Sequence, residues 1–151
     1  MIRILHLTDF HLNTKTLKDW NDFYKEAFFT KLNELQKERN IDLVVFTGDL
    51  IDKAGKDFGS ATNGFYKFKT EIIETILREL NLDISRFIIC PGNHDINRFA
   101  DKKMDEIGIK GGLLSIEDIN EFTDSNESDY DKIQRIKEYK DFEFELYGSI
   151  V

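Results

Sequence analysis

Three short apolar runs along the chain are each followed by a cluster of polar residues. The runs lie at residues 2–7, 41–46 and 87–90, and their aliphatic composition predicts three strands, of which the first should be buried on both faces of a sheet. Between them, apolar residues recur at helical spacing over residues 17–39 and 65–80. The order strand, helix, strand, helix, strand predicts an α/β fold with a parallel βαβαβ sheet.

The two helical segments should cover this sheet with their apolar sides. In the first, the apolar stripe includes Trp20, Phe23, Tyr24, Phe28 and Leu32, and we expect it to form part of the core. Residues 53–64 are rich in glycine and lack periodicity, so we predict a loop there. The second helix is predicted to begin only after that loop.

The pattern changes after residue 98. We predict an irregular connection over 99–115, a short helix from Ser115 to Phe122, an acidic loop over 123–131 and a long helix over 130–147. That long helix has an apolar stripe that needs a surface to pack against. We therefore divide the chain into residues 1–98, which carry the sheet, and residues 99–151, a mostly helical insertion, extension or cap.

Composition limits the function classes. The chain has 151 residues, enough for one core, and a net charge of −8, which disfavours binding of long nucleic acid through a basic face. Metal ions would allow an acidic chain to act on phosphates. Cys90 is the single cysteine, which excludes an intrachain disulfide and fits a reducing, cytoplasmic location. No apolar run has the length of a membrane span or a signal peptide.

The polar clusters after the three strands predict a common site. Asp9 and His11 follow the first strand, Asp49 follows the second, and Asn93 and His94 follow the third. The carboxyl ends of parallel strands meet at one edge of a sheet, so these residues should converge there. Their oxygen and imidazole nitrogen atoms suit manganese, iron, zinc or nickel.

This donor set permits phosphoester hydrolysis. Two divalent ions can clamp a phosphoryl group and convert a water molecule to hydroxide, while His94 supplies a proton to the leaving oxygen. Asp95 either orients His94 or closes the turn. Arg98 either contacts a substrate phosphate or lies on the surface. His6 lies within the first strand, where a hydrogen-bonded core histidine is a simpler interpretation than a ligand.

The motifs D-x-H at residues 9–11, G-D at 48–49 and G-N-H-D at 92–95 resemble those of the calcineurin-like metallophosphoesterase family. The resemblance implies that Asp9 and His11 bind the first ion and that Asp49 bridges both ions. It places Asn93 on the second ion and makes His94 the acid or the phosphate-contacting histidine. The expected fold is the parallel half of that family's sandwich.

The sequence segments HLTDFHL, FTGDLIDKAG and PGNHDINR are most similar to those of the bacterial phosphodiesterase-type branch of the family. This similarity implies a phosphodiester substrate, with nucleic acid, a nucleotide or another small diester all compatible. Four lysines near the second motif would give a local basic rim for such a substrate: Lys53, Lys56, Lys67 and Lys69.

Family members continue with further histidines that complete both metal shells. This chain has three histidines in total, His6, His11 and His94, so the second ion would keep only Asp49 and Asn93. We expect an N-terminal portion of a longer protein, inactive by itself and completed by further domains or subunits. The alternative is a non-catalytic regulatory or interaction module that retains a partial metal site.

Overall fold

Three parallel strands alternate with helices in the computed structural model, which describes residues 2–97, 115–117 and 134–148. The elements are β1 (Ile4–Leu7), α1 (Thr14–Asp19), α2 (Lys25–Glu38), β2 (Leu43–Thr47), α3 (Ala61–Phe68), α4 (Glu74–Leu80), β3 (Phe87–Cys90) and α5 (Gln134–Tyr147). A π-helical turn, Trp20–Tyr24, joins α1 to α2, and a second, Lys69–Ile73, joins α3 to α4. Short 3-10 segments span Lys53–Phe58 and Ile84–Arg86.

The sheet has the order β1-β2-β3, with both pairs parallel. In the register, Leu5 is opposite Val44, and Val44 is opposite Phe87. The predicted parallel α/β fold is thus confirmed. Because β2 is the central strand, the chain segments that follow β1 and β3 both lie next to the segment that follows β2.

The two faces of the sheet differ in burial, which corrects one prediction. Val44, Phe46 and Phe87 are at most 1% exposed, and the Phe46 ring packs edge-on against Phe68 of α3. On the opposite face, Ile4 is 53% and Ile88 is 46% exposed. The expectation that the first strand is buried on both faces is therefore wrong, since the described part of the chain covers only one face of the sheet.

The first helical segment departs from the predicted single helix. Trp20 and Leu32 are buried as expected, but Phe23 and Tyr24 are 68% and 63% exposed, so their assignment to the core is wrong. The cause is the π-helical turn Trp20–Tyr24. A π turn holds more residues than an α turn, so the apolar stripe changes direction around the helix axis at that point.

The second helical segment carries the predicted core side, with Phe65, Phe68, Ile72 and Ile76 all nearly inaccessible. It begins earlier than expected, at Ala61, where the Ser60 side chain accepts a hydrogen bond from the Asn63 backbone N–H. The predicted loop over 53–64 is therefore too long. The Ser60 cap stabilises a helix start within a glycine-containing stretch, and the glycine at 64 lets α3 pack closely on the 3-10 segment.

Helix α5 has a packing partner, namely α3. Phe142 stacks on Phe65 with ring centroids 4.8 Å apart, Tyr139 is 1% exposed, and the Tyr147 hydroxyl donates to the Phe87 carbonyl oxygen at 2.7 Å. The predicted long helix is confirmed over Gln134–Tyr147. Burial raises the pKa of Tyr147 to about 12, which keeps this hydroxyl protonated as a donor.

Several predictions lie outside the described residues: the start of the long helix, the acidic loop, almost all of the irregular connection and all but residues 115–117 of the short helix. None of the described helices is both long enough and apolar enough to cross a membrane.

Candidate metal centre

Backbone hydrogen bonds join the three segments that follow the strands. The Asp9 N–H donates to the Gly48 carbonyl oxygen at 3.2 Å, and the His11 N–H donates to that of Asp49 at 2.8 Å. The His94 N–H donates to Asp49 Oδ1 at 2.9 Å. The carboxyl ends of all three strands thus meet at one edge of the sheet, as predicted.

Three of the predicted site residues have left-handed backbone conformations. The φ angles of Asp9, His11 and Asp49 are 54°, 49° and 53°. Non-glycine residues adopt this region rarely and at a free-energy cost, and such residues cluster at functional sites. Here the left-handed turns bring polar side chains from consecutive strand ends toward one another.

Two glycines permit the close approach of the second and third segments. Gly48 has a φ of 86°, and a Cβ there would meet Gly92 Cα at 3.0 Å. A Cβ at Gly92 would overlap the backbone nitrogen and Oδ1 of Asp49. The lack of a side chain at Gly92 thus lets the backbone of the third segment approach Asp49.

Donor atoms from His11, Asp49 and His94 all lie within 4.8 Å of one another. His11 Nε2 is 3.6 Å from Asp49 Oδ2 and 3.8 Å from Asp9 Oδ1, distances beyond a hydrogen bond. The imidazole rings of His11 and His94 meet edge-on with centroids 4.6 Å apart. The site therefore gathers imidazole nitrogens and carboxylate oxygens around a common point.

This donor set fits a divalent metal ion. Carboxylate oxygen with imidazole nitrogen suits zinc, manganese, iron or nickel. His11 Nδ1 is buried and has no hydrogen-bond partner, so protein hydrogen bonds do not account for the orientation of its ring. The Asp49 side chain is 12% exposed, and a buried carboxylate beside an imidazole gains from a cation that both can share.

The remaining predicted ligands flank this group. Asp9 is held by the Thr8 hydroxyl, which donates to Asp9 Oδ2 at 2.6 Å. Asn93 lies beside His94, on the wall of a neighbouring cavity. His6 Nε2 is 2.7 Å from the Thr47 hydroxyl oxygen on the open face, so His6 has a partner but is not in the core. Arg98 lies outside the described residues.

Comparison with protein families identifies this arrangement. The family model for calcineurin-like phosphoesterases matches residues 2–148. The chain belongs to the calcineurin-like phosphoesterase family. This membership implies metal-dependent hydrolysis of phosphoesters, and the histidine and aspartate group fits that chemistry. Comparison with curated protein sequences returns no match.

In this calcineurin-like phosphoesterase, Asp52 is a site residue that the sequence reasoning missed. Its Oδ1 lies 2.8 Å from His94 Nδ1, and its backbone N–H donates to the Leu12 carbonyl oxygen at 3.0 Å. This second contact continues the parallel pairing beyond β1 and β2, through the Leu12–Ile51 bridge. The sequence does contain a signal for Asp52, which is a carboxylate three residues after Asp49. The turn between these two residues places both side chains toward the end of β3.

Opposing effects set the pKa of Asp52. Burial raises it, whereas the hydrogen bond with His94 and the charges of Lys53 and His94 lower it, and the net pKa lies below the usual value. Asp52 is thus a carboxylate at neutral pH and accepts the Nδ1 proton of His94. This contact fixes the ring orientation and leaves Nε2 for other partners.

Asp95 contacts the backbone of the family site. Its Oδ1 accepts a hydrogen bond from the Ile51 N–H at 2.9 Å, and its Oδ2 accepts one from the Gly92 N–H at 2.8 Å. Burial raises the pKa of this carboxyl group, which is 1% exposed. These contacts hold the ends of β2 and β3 together. Of the two roles predicted for Asp95, they match the closing of the turn.

The four lysines of the predicted basic rim occupy different surroundings. Lys69 forms an ion pair with Glu145 of α5 at 2.7 Å, and Lys67 is exposed on α3. Lys53 and Lys56 line the cavity beside His94. The cationic side chains nearest the metal-binding group are therefore those of the 3-10 segment Lys53–Phe58.

Proposed function

We propose that the natural protein hydrolyses a phosphodiester, with Asp9, His11, Asp49 and Asn93 holding two divalent ions, manganese foremost, and His94 protonating the leaving oxygen. The observation that carries this proposal is the convergence of His11, Asp49 and His94 donor atoms within 4.8 Å in a member of the calcineurin-like phosphoesterase family. Divalent ions at such a group neutralise phosphoryl oxygens and lower the pKa of water.

The protein's contribution at the leaving oxygen comes from the pair of His94 and Asp52. The Asp52 carboxylate accepts the Nδ1 proton and fixes the ring orientation, so Nε2 is the His94 atom that faces the leaving oxygen as proton donor. Water loses a proton to solvent, and as the resulting hydroxide oxygen bonds to phosphorus, the bond from phosphorus to the leaving oxygen breaks and that oxygen takes the Nε2 proton. Asp52 acts here as a positioning residue.

Charge supports a small diester as substrate. The chain has a net charge of −8. Repulsion by this acidic chain disfavours long nucleic acid, which carries one negative charge per nucleotide. A diester substrate also agrees with the similarity of the three motif segments to those of bacterial phosphodiesterases.

The number of metal donors in the site affects how strongly residues 1–151 alone should bind metal and how fast they should hydrolyse substrate. Of the three histidines, only His11 and His94 lie in the metal-binding group of the described residues, because His6 lies on the open face of the sheet. We infer that donors beyond this group complete the second ion's shell. Residues 1–151 alone should bind metal weakly and turn over slowly.

The test is hydrolysis by the complete natural protein after removal of metals with EDTA. Readdition of manganese should restore cleavage of bis(4-nitrophenyl) phosphate, with kcat/KM at least about tenfold above that for 4-nitrophenyl phosphate. A preference for the monoester would contradict the diester assignment. Metal binding without hydrolysis of either compound would instead support a non-catalytic regulatory module.

A further inference from the structure

A cavity of about 690 Å³ opens beside His94. Its walls come from the 3-10 segment Lys53–Phe58, the start of α3, the turn after β3 and Glu138 of α5. Pockets that enclose small organic ligands have volumes of roughly 300–1,000 Å³. The cavity is therefore large enough for a group of nucleotide size.

The position of His94 assigns a side of the reaction to this cavity. In an in-line displacement, the attacking and leaving oxygens lie on opposite sides of phosphorus. The acid that protonates the leaving oxygen must be within hydrogen-bond reach of it. Because His94 lines the cavity, the cavity lies on the side of the leaving alcohol.

One wall of the cavity is cationic and tied to the His94 turn. Lys53 and Lys56 both line it, and both side chains are largely exposed. The backbone N–H of Ala54 donates to the His94 carbonyl oxygen at 2.8 Å, and Lys53 and Ala54 have left-handed φ angles of 46° and 50°. Two lysines of this strained segment therefore line the side of the leaving alcohol, and Lys53 Nζ also lies 3.6 Å from Asp52 Oδ2.

A carboxylate also lines the cavity, that of Glu138 in α5. Glu138 Oε1 accepts from the Asn97 side-chain amide at 3.4 Å, whereas Glu138 Oε2 is inaccessible to solvent and has no hydrogen-bond partner. An unpaired buried carboxylate oxygen costs free energy. Rotation of this carboxylate toward the cavity would let it accept a hydrogen bond from a hydroxyl or amino group of a ligand and would remove this cost.

We propose that this cavity binds the leaving alcohol of the diester, and that this alcohol has the size of a nucleoside and carries a second phosphate group. Lys53 and Lys56 contact that phosphate, and the Glu138 carboxylate, rotated toward the cavity, accepts a hydrogen bond from a hydroxyl or amino group of the same alcohol. This assignment of a leaving-group subsite rests on the proposed function, since the diester defines which group leaves.

The test is calorimetric binding of adenosine 3′,5′-bisphosphate to residues 1–151 in buffer with EDTA, so that metal ions do not contribute. The double variant Lys53→Ala/Lys56→Ala should bind at least about tenfold more weakly than wild type, because two charge-assisted contacts are lost. The matched control Lys31→Ala/Lys37→Ala, which changes the net charge equally at exposed positions of α2, should bind like wild type.

Inorganic pyrophosphate is the second probe, since it carries the charge without the nucleoside. Glu138→Leu should weaken adenosine 3′,5′-bisphosphate binding and should not weaken pyrophosphate binding. The proposal is overturned if wild type does not bind the nucleotide, if the Lys53/Lys56 variant binds it like wild type, or if the control loses as much affinity. Because the readout is metal-free binding, failure of the subsite is distinguished from failure of diester hydrolysis, which is measured separately with metal.

Discussion

Asp49→Asn should weaken manganese binding by more than about 100-fold, the largest effect that we expect from a single substitution. Asp49 Oδ2 faces His11 Nε2 across 3.6 Å, and removing its charge leaves the imidazoles without the central carboxylate. Loss of groups that merely orient metal ligands costs about 10–100-fold in affinity, so a direct ligand should cost more. Electron paramagnetic resonance of free manganese during a titration measures the effect.

Two features make this variant a sharp test. Asparagine keeps the shape and one oxygen, so the hydrogen bond from the His94 N–H to Asp49 Oδ1 can persist and the fold should be retained. The matched control is Asp22→Asn, which removes one exposed carboxylate from the π-helical turn and should leave manganese affinity unchanged. Equal affinities of Asp49→Asn and wild type would show that Asp49 is not a ligand.

His94→Gln should lower kcat of the complete natural protein by about 10²–10⁴-fold for diesters with an alkyl leaving group. The loss should be much smaller for bis(4-nitrophenyl) phosphate, because 4-nitrophenolate leaves without a proton. Comparison of kcat for the two kinds of diester, in wild type and variant, measures this dependence on the leaving group.

The same comparison separates two roles that the geometry allows for His94, whose ring belongs to the group of potential metal donors. If His94 is a metal ligand and not the acid, both diesters should lose activity equally and manganese affinity should fall. Asp52→Asn should follow the leaving-group pattern of His94→Gln with a smaller loss, since it removes only the hydrogen bond that orients the ring.

The strands and their polar ends were predictable because each depends on local pattern. Aliphatic runs of four to six residues predict buried strands, and β3 has the predicted bounds of residues 87–90. Parallel pairing then dictates which edge the polar residues share, so the approach of His11, Asp49 and His94 follows from the sequence. Gly92 is recognisable as part of the G-N-H-D motif, and the turn that this motif forms leaves no space for a side chain at that position.

Other features depend on tertiary context. The π-helical turn that exposes Phe23 and Tyr24 leaves no mark in the helical spacing of apolar residues, because both side chains are as apolar as those that are buried. The exposure of Ile4 is equally invisible locally, since an aliphatic strand residue does not reveal whether anything covers its face. The packing of α5 on α3 depends on contacts between residues far apart in the sequence, such as Phe65 and Phe142.

The candidate site shows the same division. The candidate metal donors His11, Asp49 and His94 were recognisable from residue type and spacing. Asp52 was not recognisable as a site residue, because an aspartate after a strand most often caps a turn. Its role depends on the 2.8 Å approach to His94, 42 residues later in the chain. The proposed role of Glu138, whose Oε2 is unpaired, was likewise not predictable, because it depends on the packing of α5 that brings Glu138 to the cavity beside the end of β3.

Paramagnetic broadening by manganese tests most directly whether the three strand ends form one metal centre. Substoichiometric manganese is added to ¹⁵N-labelled residues 1–151, and amide signals are followed by nuclear magnetic resonance. We predict that the signals of Asp9, His11, Asp49, Asn93 and His94 broaden first and together. Broadening that begins at exposed acidic residues such as Glu34 and Glu38 of α2, with the strand ends unaffected, would contradict the assignment.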